Sequence, residues 1–351
     1  MEKVRVVYFA GTGRSGSSII GNILGQVEGF FSAGELEEIW QRGLVENWLC
    51  GCGAPFEDCP IWRGVLEDAF RGAGNLDVEE ILGALRRVAR IRHVPLVLAA
   101  RCFPGLLRRR LGETVELLEA LYVALARAAG GAVIVDSSKR PSYGYLLGLL
   151  PSVDLHVVHL VRDPRGAAYS WGRRKAQADA GSGRYMDEMR PAKSALLWSI
   201  WNTTAELLWA GSGRYLRLRY EDVIRRPREA LVEILAMLGR QGADLSFVNE
   251  NTVELDVNHT VSGNPSRLKR GTVELRPDLE WMDRMRLMPR AAVTVLTAPR
   301  LRRYGYPFRP RRHSPAAREG RPSLAKARKL RGRRGSSRSA PGPVGPRKRL
   351  H

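Results

Sequence analysis

The stretch VVYFAGTGRSGSSIIGNIL, residues 6–24, joins two apolar runs through a loop of glycine and serine. Two of its glycines stand at the G-x-x-x-x-G spacing of a phosphate-binding loop, and Ser18 follows where such loops carry a hydroxyl. Ser17, however, occupies the position of the usual lysine, and the loop carries Arg14 instead. The pattern therefore predicts a strand, an anion-binding loop and a helix, without the lysine that bridges the phosphates of ATP.

Apolar segments that alternate with helical patterns continue along the chain. The segments predicted as strands are residues 4–10, 132–138, 154–164 and 215–222. Such alternation is typical of a parallel sheet covered by helices on both faces. We therefore predict an α/β fold, a P-loop-type parallel β-sheet flanked by helices, with a largely helical insertion at about residues 36–130.

The basic charge is concentrated at one end of the chain. The net charge is +21, and residues 309–351 hold fifteen Lys or Arg against one acid, Glu319. A segment so poor in large apolar residues cannot bury enough surface to fold alone. We expect residues 1–308 to form the folded domain and residues 309–351 a disordered basic tail. The tail is either a solubilising extension or a weak tether to a polyanion or anionic membrane, and its lack of aromatic residues favours the former.

Two further features bear on location and on metals. The chain shows neither an apolar run of membrane-spanning length nor a signal-peptide pattern, so we expect an intracellular, cytoplasmic protein. Cys50, Cys52 and Cys59 are clustered, and they could bind zinc with Cys102 or His93 as a fourth ligand. A reduced structural loop is the alternative, and no residue is assigned as a metal ligand.

A second anion site is predicted in HLVRDPRGAAYSW, residues 159–171. Arg162 follows a predicted strand, and Ser170 lies eight residues later in the following helix. A cation at a helix entrance and a hydroxyl about two turns along could together hold a phosphate. The alternative is a local ion pair between Arg162 and Asp163.

The two segments GTGRSGSS and RDPRGAAYS together closely resemble the sulfotransferases that use 3′-phosphoadenosine 5′-phosphosulfate (PAPS). The resemblance implies that the first loop binds the 5′-phosphosulfate and that Arg162 and Ser170 bind the 3′-phosphate. It also implies that Arg14 stabilises the bridging oxygen as the sulfuryl group leaves. The loop residues assigned to donor binding are Gly13, Arg14, Ser15, Gly16, Ser17 and Ser18.

Two later segments extend the resemblance, which covers roughly residues 4–285. In RYEDVIRRP, Tyr220 matches a tyrosine near the adenine. In NPSRLKRGTVELRPDLEW, a basic segment that ends in glycine is implied to close over the 3′-phosphate. Its residues are Arg267, Lys269, Arg270 and Gly271.

The residue that accepts the acceptor's proton remains open. The resemblance to carbohydrate sulfotransferases implies Glu35, in FFSAGELEEIW, as this general base, with Glu37 and Glu38 as rivals. Lys139 of VDSSK, with Asp136 as a second candidate, stands where related enzymes place a base, and Lys139 could equally steady the sulfate.

These features predict a PAPS-dependent sulfotransferase that needs no metal and acts on a hydroxyl, or less readily an amine, of a carbohydrate, lipid or small metabolite. A P-loop kinase or NTPase is the enzymatic alternative, although Ser17 and the scarcity of magnesium ligands other than Asp136 argue against it. A polyanion-binding protein acting through the tail is the third possibility.

Overall fold

The computed structural model describes residues 3–72, 74, 76–89, 93–100, 105, 109, 111–181 and 183–310. Within them, a five-stranded sheet has the strand order β2-β3-β1-β4-β5, and every neighbouring pair is parallel. The strands are β1 (Val4–Gly11), β2 (Phe30–Gly34), β3 (Val133–Lys139), β4 (Val153–Val161) and β5 (Tyr215–Arg219). The prediction of a parallel α/β fold is confirmed.

Helices follow or separate these strands, and many begin with proline, which is pre-shaped for the first helical position. The helices are α1 (Ser17–Leu24), α2 (Pro60–Phe70), α3 (Val78–Ala89), α4 (Val94–Ala99), α5 (Thr114–Ala128), α6 (Pro141–Leu147), α7 (Pro164–Trp171), α8 (Pro191–Trp209), α9 (Tyr220–Arg225), α10 (Pro227–Met237), α11 (Trp281–Arg284) and α12 (Leu287–Arg303). Short 3₁₀ helices span Leu36–Glu38 and Pro265–Leu268, and a π-helix spans Ile39–Val45. A hairpin pairs β6 (Thr252–Leu255) with β7 (Gly271–Glu274) in antiparallel orientation.

The sheet has a packed core on each face. Along β1 the side chains alternate: Val6 and Tyr8 pack with helices of the insertion, whereas Val7 and Phe9 pack on the side of α1 and α10. All four are fully buried. Because both faces are covered, residues 6–10 of the strand form an uninterrupted apolar run.

Two sequence expectations about strands were wrong. Strand β2 was not predicted, because FFSAG is short and holds only two large apolar residues before a serine, an alanine and a glycine. The predicted strand 215–222 ends at Arg219, and α9 begins at Tyr220. The first error matters for the site, since β2 ends immediately before Glu35.

One histidine of the central sheet is buried in the core with both ring nitrogens engaged. His159, on β4, lies with Nδ1 2.7 Å from the Tyr215 hydroxyl and Nε2 2.7 Å from Asn202 Oδ1. Burial lowers the pKa of His159 to about 4, so the ring stays neutral. It is therefore not a candidate for proton transfer in a cleft.

Residues up to Phe308 form one compact unit. The predicted basic tail lies outside the described residues from position 311 onward and stays a prediction. Across the described part of the chain, no helix combines the length and apolarity needed to cross a membrane.

Candidate active site

A cleft of about 640 Å³ gathers most of the predicted site residues. They lie at or after the carboxyl ends of β1 to β5, which is where ligands sit in open parallel sheets. The predicted residues on its wall are Gly13, Arg14, Gly16, Ser17, Ser18, Glu35, Lys139, Arg162, Ser170 and Tyr220. Residues separated by more than two hundred positions thus face one space.

The glycine loop, residues 11–18, is held between two aromatic rings. A Cβ atom at Gly13 would clash with the Trp171 ring, and one at Gly16 would clash with the Tyr220 ring. Gly16 also has φ +89°, in the left-handed region that favours glycine, and it caps the start of α1. The two glycines therefore allow close packing of the loop as well as its turn.

Arg14 reaches over the cleft from this loop. Its guanidinium lies 4.6 Å from the Trp171 ring centroid, and Nη2 donates to the carbonyl of Asp187 at 3.2 Å. Burial lowers the pKa of Arg14, while nearby Glu35 opposes that shift. Among the described residues, neither Arg14 Nε nor the buried Ser15 hydroxyl has a hydrogen-bond partner. The loop thus keeps polar groups available for an anion.

Arg162 braces the same loop. Its Nη1 donates to the carbonyl of Arg14 at 2.8 Å, and its guanidinium lies 4.7 Å from the Tyr220 ring centroid. The alternative pairing with Asp163 is not formed, because Asp163 accepts from Arg165 at 2.7 Å and 2.9 Å. Arg162 is therefore directed to the cleft rather than to its neighbour in sequence.

A carboxylate lies beside Arg162. Asp278 Oδ2 is 3.0 Å from Arg162 Nη2 and 2.7 Å from Arg173 Nη2. Burial alone would raise the pKa of Asp278, but these two arginines lower it. Lys175 also lines the cleft, and burial together with Arg173 lowers its pKa. This part of the cleft is thus a cationic site that a protein carboxylate neutralises.

Glu35 and Lys139, two of the proposed bases, form an ion pair. Lys139 Nζ lies 2.5 Å from Glu35 Oε1 and also donates to the carbonyl of Ser137 at 2.8 Å. Burial alone would raise the pKa of Glu35, but Lys139 and Arg42 outweigh it, and the pKa is lowered. Glu35 is therefore ionised at neutral pH and able to accept a proton.

The rival carboxylates are less well placed. Asp136 is fully buried outside the cleft wall, where it accepts from the Tyr122 hydroxyl at 2.5 Å and from Ser138 N at 2.8 Å. Burial raises its pKa to about 6. Glu37 pairs with Arg140 at 2.6 Å off the cleft wall. This geometry argues against Asp136 as a base or magnesium ligand, because its oxygens are already engaged.

Glu38, the third rival, does line the cleft. Its carboxylate is shared between Arg42 at 3.3 Å and Arg140 at 3.5 Å. Two arginines hold it in place, which leaves Glu35 better placed than Glu38 for taking a proton.

The closing segment, residues 258–271, corrects the assignment of the basic residues. Arg267 is 1% exposed, pairs with Asp179 at 2.8 Å and donates to the carbonyl of Thr260 at 2.7 Å. Arg270 donates to the carbonyl of Cys52 at 2.7 Å. Neither lines the cleft, nor does Gly271, whereas Lys269 does. The sequence alone could not show which of these three neighbouring cations lines the cleft.

Sequence reasoning also missed several wall residues. Asn264 donates from its backbone N to the Ser18 hydroxyl at 3.0 Å, which ties the closing segment to the glycine loop. Other missed wall residues are Trp171, Lys175, Met186, Asp187 and Asp278. Trp171 ends α7, and the others belong to irregular segments without a motif, so no sequence signal placed those others here.

Comparisons with known proteins agree with this geometry. Residues 139–286 match the sulfotransferase domain family. The chain is similar in fold to the sulfotransferase domain from the Synechococcus PCC 7002 olefin synthase, with a TM-score of 0.53, 20% identity and coverage of 88% of this chain and 97% of that one. It is also similar to the sulfotransferase domain from the curacin biosynthetic pathway, with a TM-score of 0.50, 16% identity and coverage of 88% and 99%. No curated protein matches the chain. The family match over residues 139–286 and the shared fold therefore both support the resemblance to sulfotransferases.

Proposed function

We propose that this chain transfers a sulfuryl group from PAPS to a hydroxyl, or less readily an amine, of a carbohydrate, lipid or other small metabolite. One observation carries the proposal: a single cleft holds an anion-binding glycine loop, a second cationic site at Arg162 and Ser170, and an ionised glutamate, Glu35. The donor has two separated anionic groups, and the reaction needs a proton acceptor.

The glycine loop suits the phosphosulfate end of the donor. Ser17 and Ser18 line the cleft beside the start of α1, where backbone amides and the helix dipole favour an anion. Arg14 lines the cleft, and its guanidinium adds donors. With serine in place of the bridging lysine, the loop suits an anion transferred without magnesium.

Arg162 and Ser170 suit the 3′-phosphate. Ser170 is buried and lines the cleft on α7, and Arg162 is 5% exposed at the end of β4. A guanidinium offers forked donors that match phosphate oxygens. The Tyr220 ring beneath Arg162 gives an apolar face next to this site, on which the adenine can lie.

In the transfer, Glu35 takes the proton of the acceptor hydroxyl as that oxygen forms a bond to sulfur. The bond from sulfur to the bridging oxygen breaks, and its electron pair stays on the phosphate oxygen of 3′,5′-ADP. Arg14 supplies positive charge where this negative charge develops. Glu35 then releases its proton to solvent, and Lys139 holds the carboxylate in position throughout.

The acceptor end carries both cations and aromatic faces. The Arg42 guanidinium lies 4.6 Å from the Trp48 ring centroid, and both residues line the cleft within the helical insertion. Arg184 and Tyr185 line it from another segment. This lining favours a polar or anionic acceptor with a ring that can stack.

Calorimetric titration with 3′,5′-ADP, compared with ATP and magnesium, tests the proposal. We expect 3′,5′-ADP to bind the wild type and Ser170→Ala to weaken it about 10- to 100-fold, as for a lost hydrogen bond to a charged group. Arg302→Ala, an exposed residue outside the cleft, is the control and should bind normally. Tighter binding of magnesium-ATP would favour the kinase alternative and overturn the proposal.

A further inference from the structure

Three thiols and one imidazole converge at a place that is not part of the cleft wall. The sulfur atoms of Cys50, Cys52 and Cys59 and a ring nitrogen of His259 all lie within 4.8 Å of one another. His259 Nδ1 is 3.3 Å from Cys59 Sγ and 3.9 Å from Cys50 Sγ. None of the four residues lines the cleft.

These separations match a tetrahedral zinc site. Zinc binds sulfur at about 2.3 Å and nitrogen at about 2.0–2.1 Å, so tetrahedral ligand atoms lie roughly 3.5–3.8 Å apart. The two measured separations fall on either side of that range. Soft thiolate ligands also favour zinc over magnesium or calcium.

The surroundings hold the ligands in place. Cys50 and Cys59 are fully buried. The Trp62 indole donates to the carbonyl of His259 at 2.8 Å, and Arg270 donates to the carbonyl of Cys52 at 2.7 Å. These two hydrogen bonds hold the backbone on both sides of the cluster.

We propose that Cys50, Cys52, Cys59 and His259 bind one structural zinc ion. His259 thereby replaces Cys102 or His93 as the fourth ligand expected from the sequence. Cys102 lies outside the described residues, and His93 is not in the cluster. Since His259 is about two hundred residues from the cysteines, spacing could not have identified it.

The ion would join two parts of the molecule. The cysteines lie before α2, near the start of the helical insertion, whereas His259 belongs to the closing segment. A backbone hydrogen bond from Gly51 to Thr260, 2.9 Å long, already joins the same two parts. Zinc would reinforce this junction, and the closing segment carries Asn264 and Lys269 to the cleft.

Metal analysis of the full chain, purified without a metal-affinity tag, tests the proposal. We expect about one zinc per chain in the wild type and a loss of most of it in Cys59→Ser and His259→Ala. Cys102→Ser and His93→Ala are matched controls and should keep the metal. Cobalt substitution should give thiolate charge-transfer absorption in the wild type and a weaker band in Cys59→Ser.

A second measurement covers variants that fail to fold. Wild-type protein treated with a chelator should lose its zinc and melt at a lower temperature, and added zinc but not magnesium should reverse this. Wild type without stoichiometric zinc, or zinc retained by His259→Ala and lost by His93→Ala, would overturn the proposal. These readouts do not depend on donor binding, so they stand apart from the proposed transfer reaction.

Discussion

The glycine loop and the closing segment face the same cleft but are positioned by different kinds of contact. The turn of the loop is made by consecutive residues that join a strand to a helix, and the distant Trp171 and Tyr220 rings pack against it. The closing segment is held by distant partners: Arg267 pairs with Asp179, and its backbone carbonyl accepts from Asn22 at 3.1 Å. In the loop, the motif therefore identified the residues that face the ligand space. In the closing segment, it identified only a cluster of charge.

The largest effect is expected at Glu35, which contacts the closing segment. The backbone N of Glu35 donates to the carbonyl of Ser262, in the closing segment, at 3.2 Å. Glu35→Gln keeps the shape but cannot take a proton, so transfer should slow about 10²- to 10⁴-fold. Transfer of labelled sulfate from PAPS to a panel of hydroxyl compounds measures the rate, and 3′,5′-ADP titration should show unchanged affinity.

Glu28→Gln, at an exposed position, is the control, and its transfer rate should equal that of the wild type. The pH profile sharpens the assignment. Because the folded pKa of Glu35 is lowered, its carboxylate stays ionised down to below its usual 4.5, and the rate should fall only below that pH. An acid limb near neutral pH would point to another base.

Within the closing segment, two neighbouring cations should fail in different ways. Arg267→Met leaves Asp179 buried without its partner, which costs about 3–5 kcal/mol of unfolding free energy. Lys269→Met should leave stability nearly unchanged but weaken 3′,5′-ADP binding about tenfold, since Lys269 lines the cleft. Denaturant unfolding and calorimetry measure the two effects. The reverse pattern would restore Arg267 as the ligand residue.

The smallest effect concerns the carboxylate beside Arg162. Asp278 would compete with a phosphate for Arg162, so Asp278→Asn should tighten 3′,5′-ADP binding by a few-fold, up to about tenfold. The exposed Asp256→Asn is the control for lost negative charge and should change affinity little. Weaker binding by Asp278→Asn would instead mean that Asp278 positions Arg162 for the ligand.

Some residues of the candidate site could be predicted from the sequence, and others could not. Arg14, Arg162 and Ser170 were predicted, and all three line the cleft, because each lies in or directly after a strand-to-helix junction whose geometry is local. Asp136, by contrast, lies within β3, where it is fully buried and bonded to Tyr122. Its side-chain direction depends on packing from the insertion, which no motif describes.

By itself, the sequence determined the parallel α/β architecture, the anion-binding loop and the resemblance to sulfotransferases, because strand patterns and glycine positions act over a few residues. Only the tertiary structure decided that Glu35 and Lys139 are ion-paired, that Lys269 rather than Arg267 faces the cleft, and that His259 joins the three cysteines. Each of these depends on contacts between segments separated by about a hundred residues or more. Neighbouring residues in the sequence do not specify such contacts. They result from burial and packing of the whole domain.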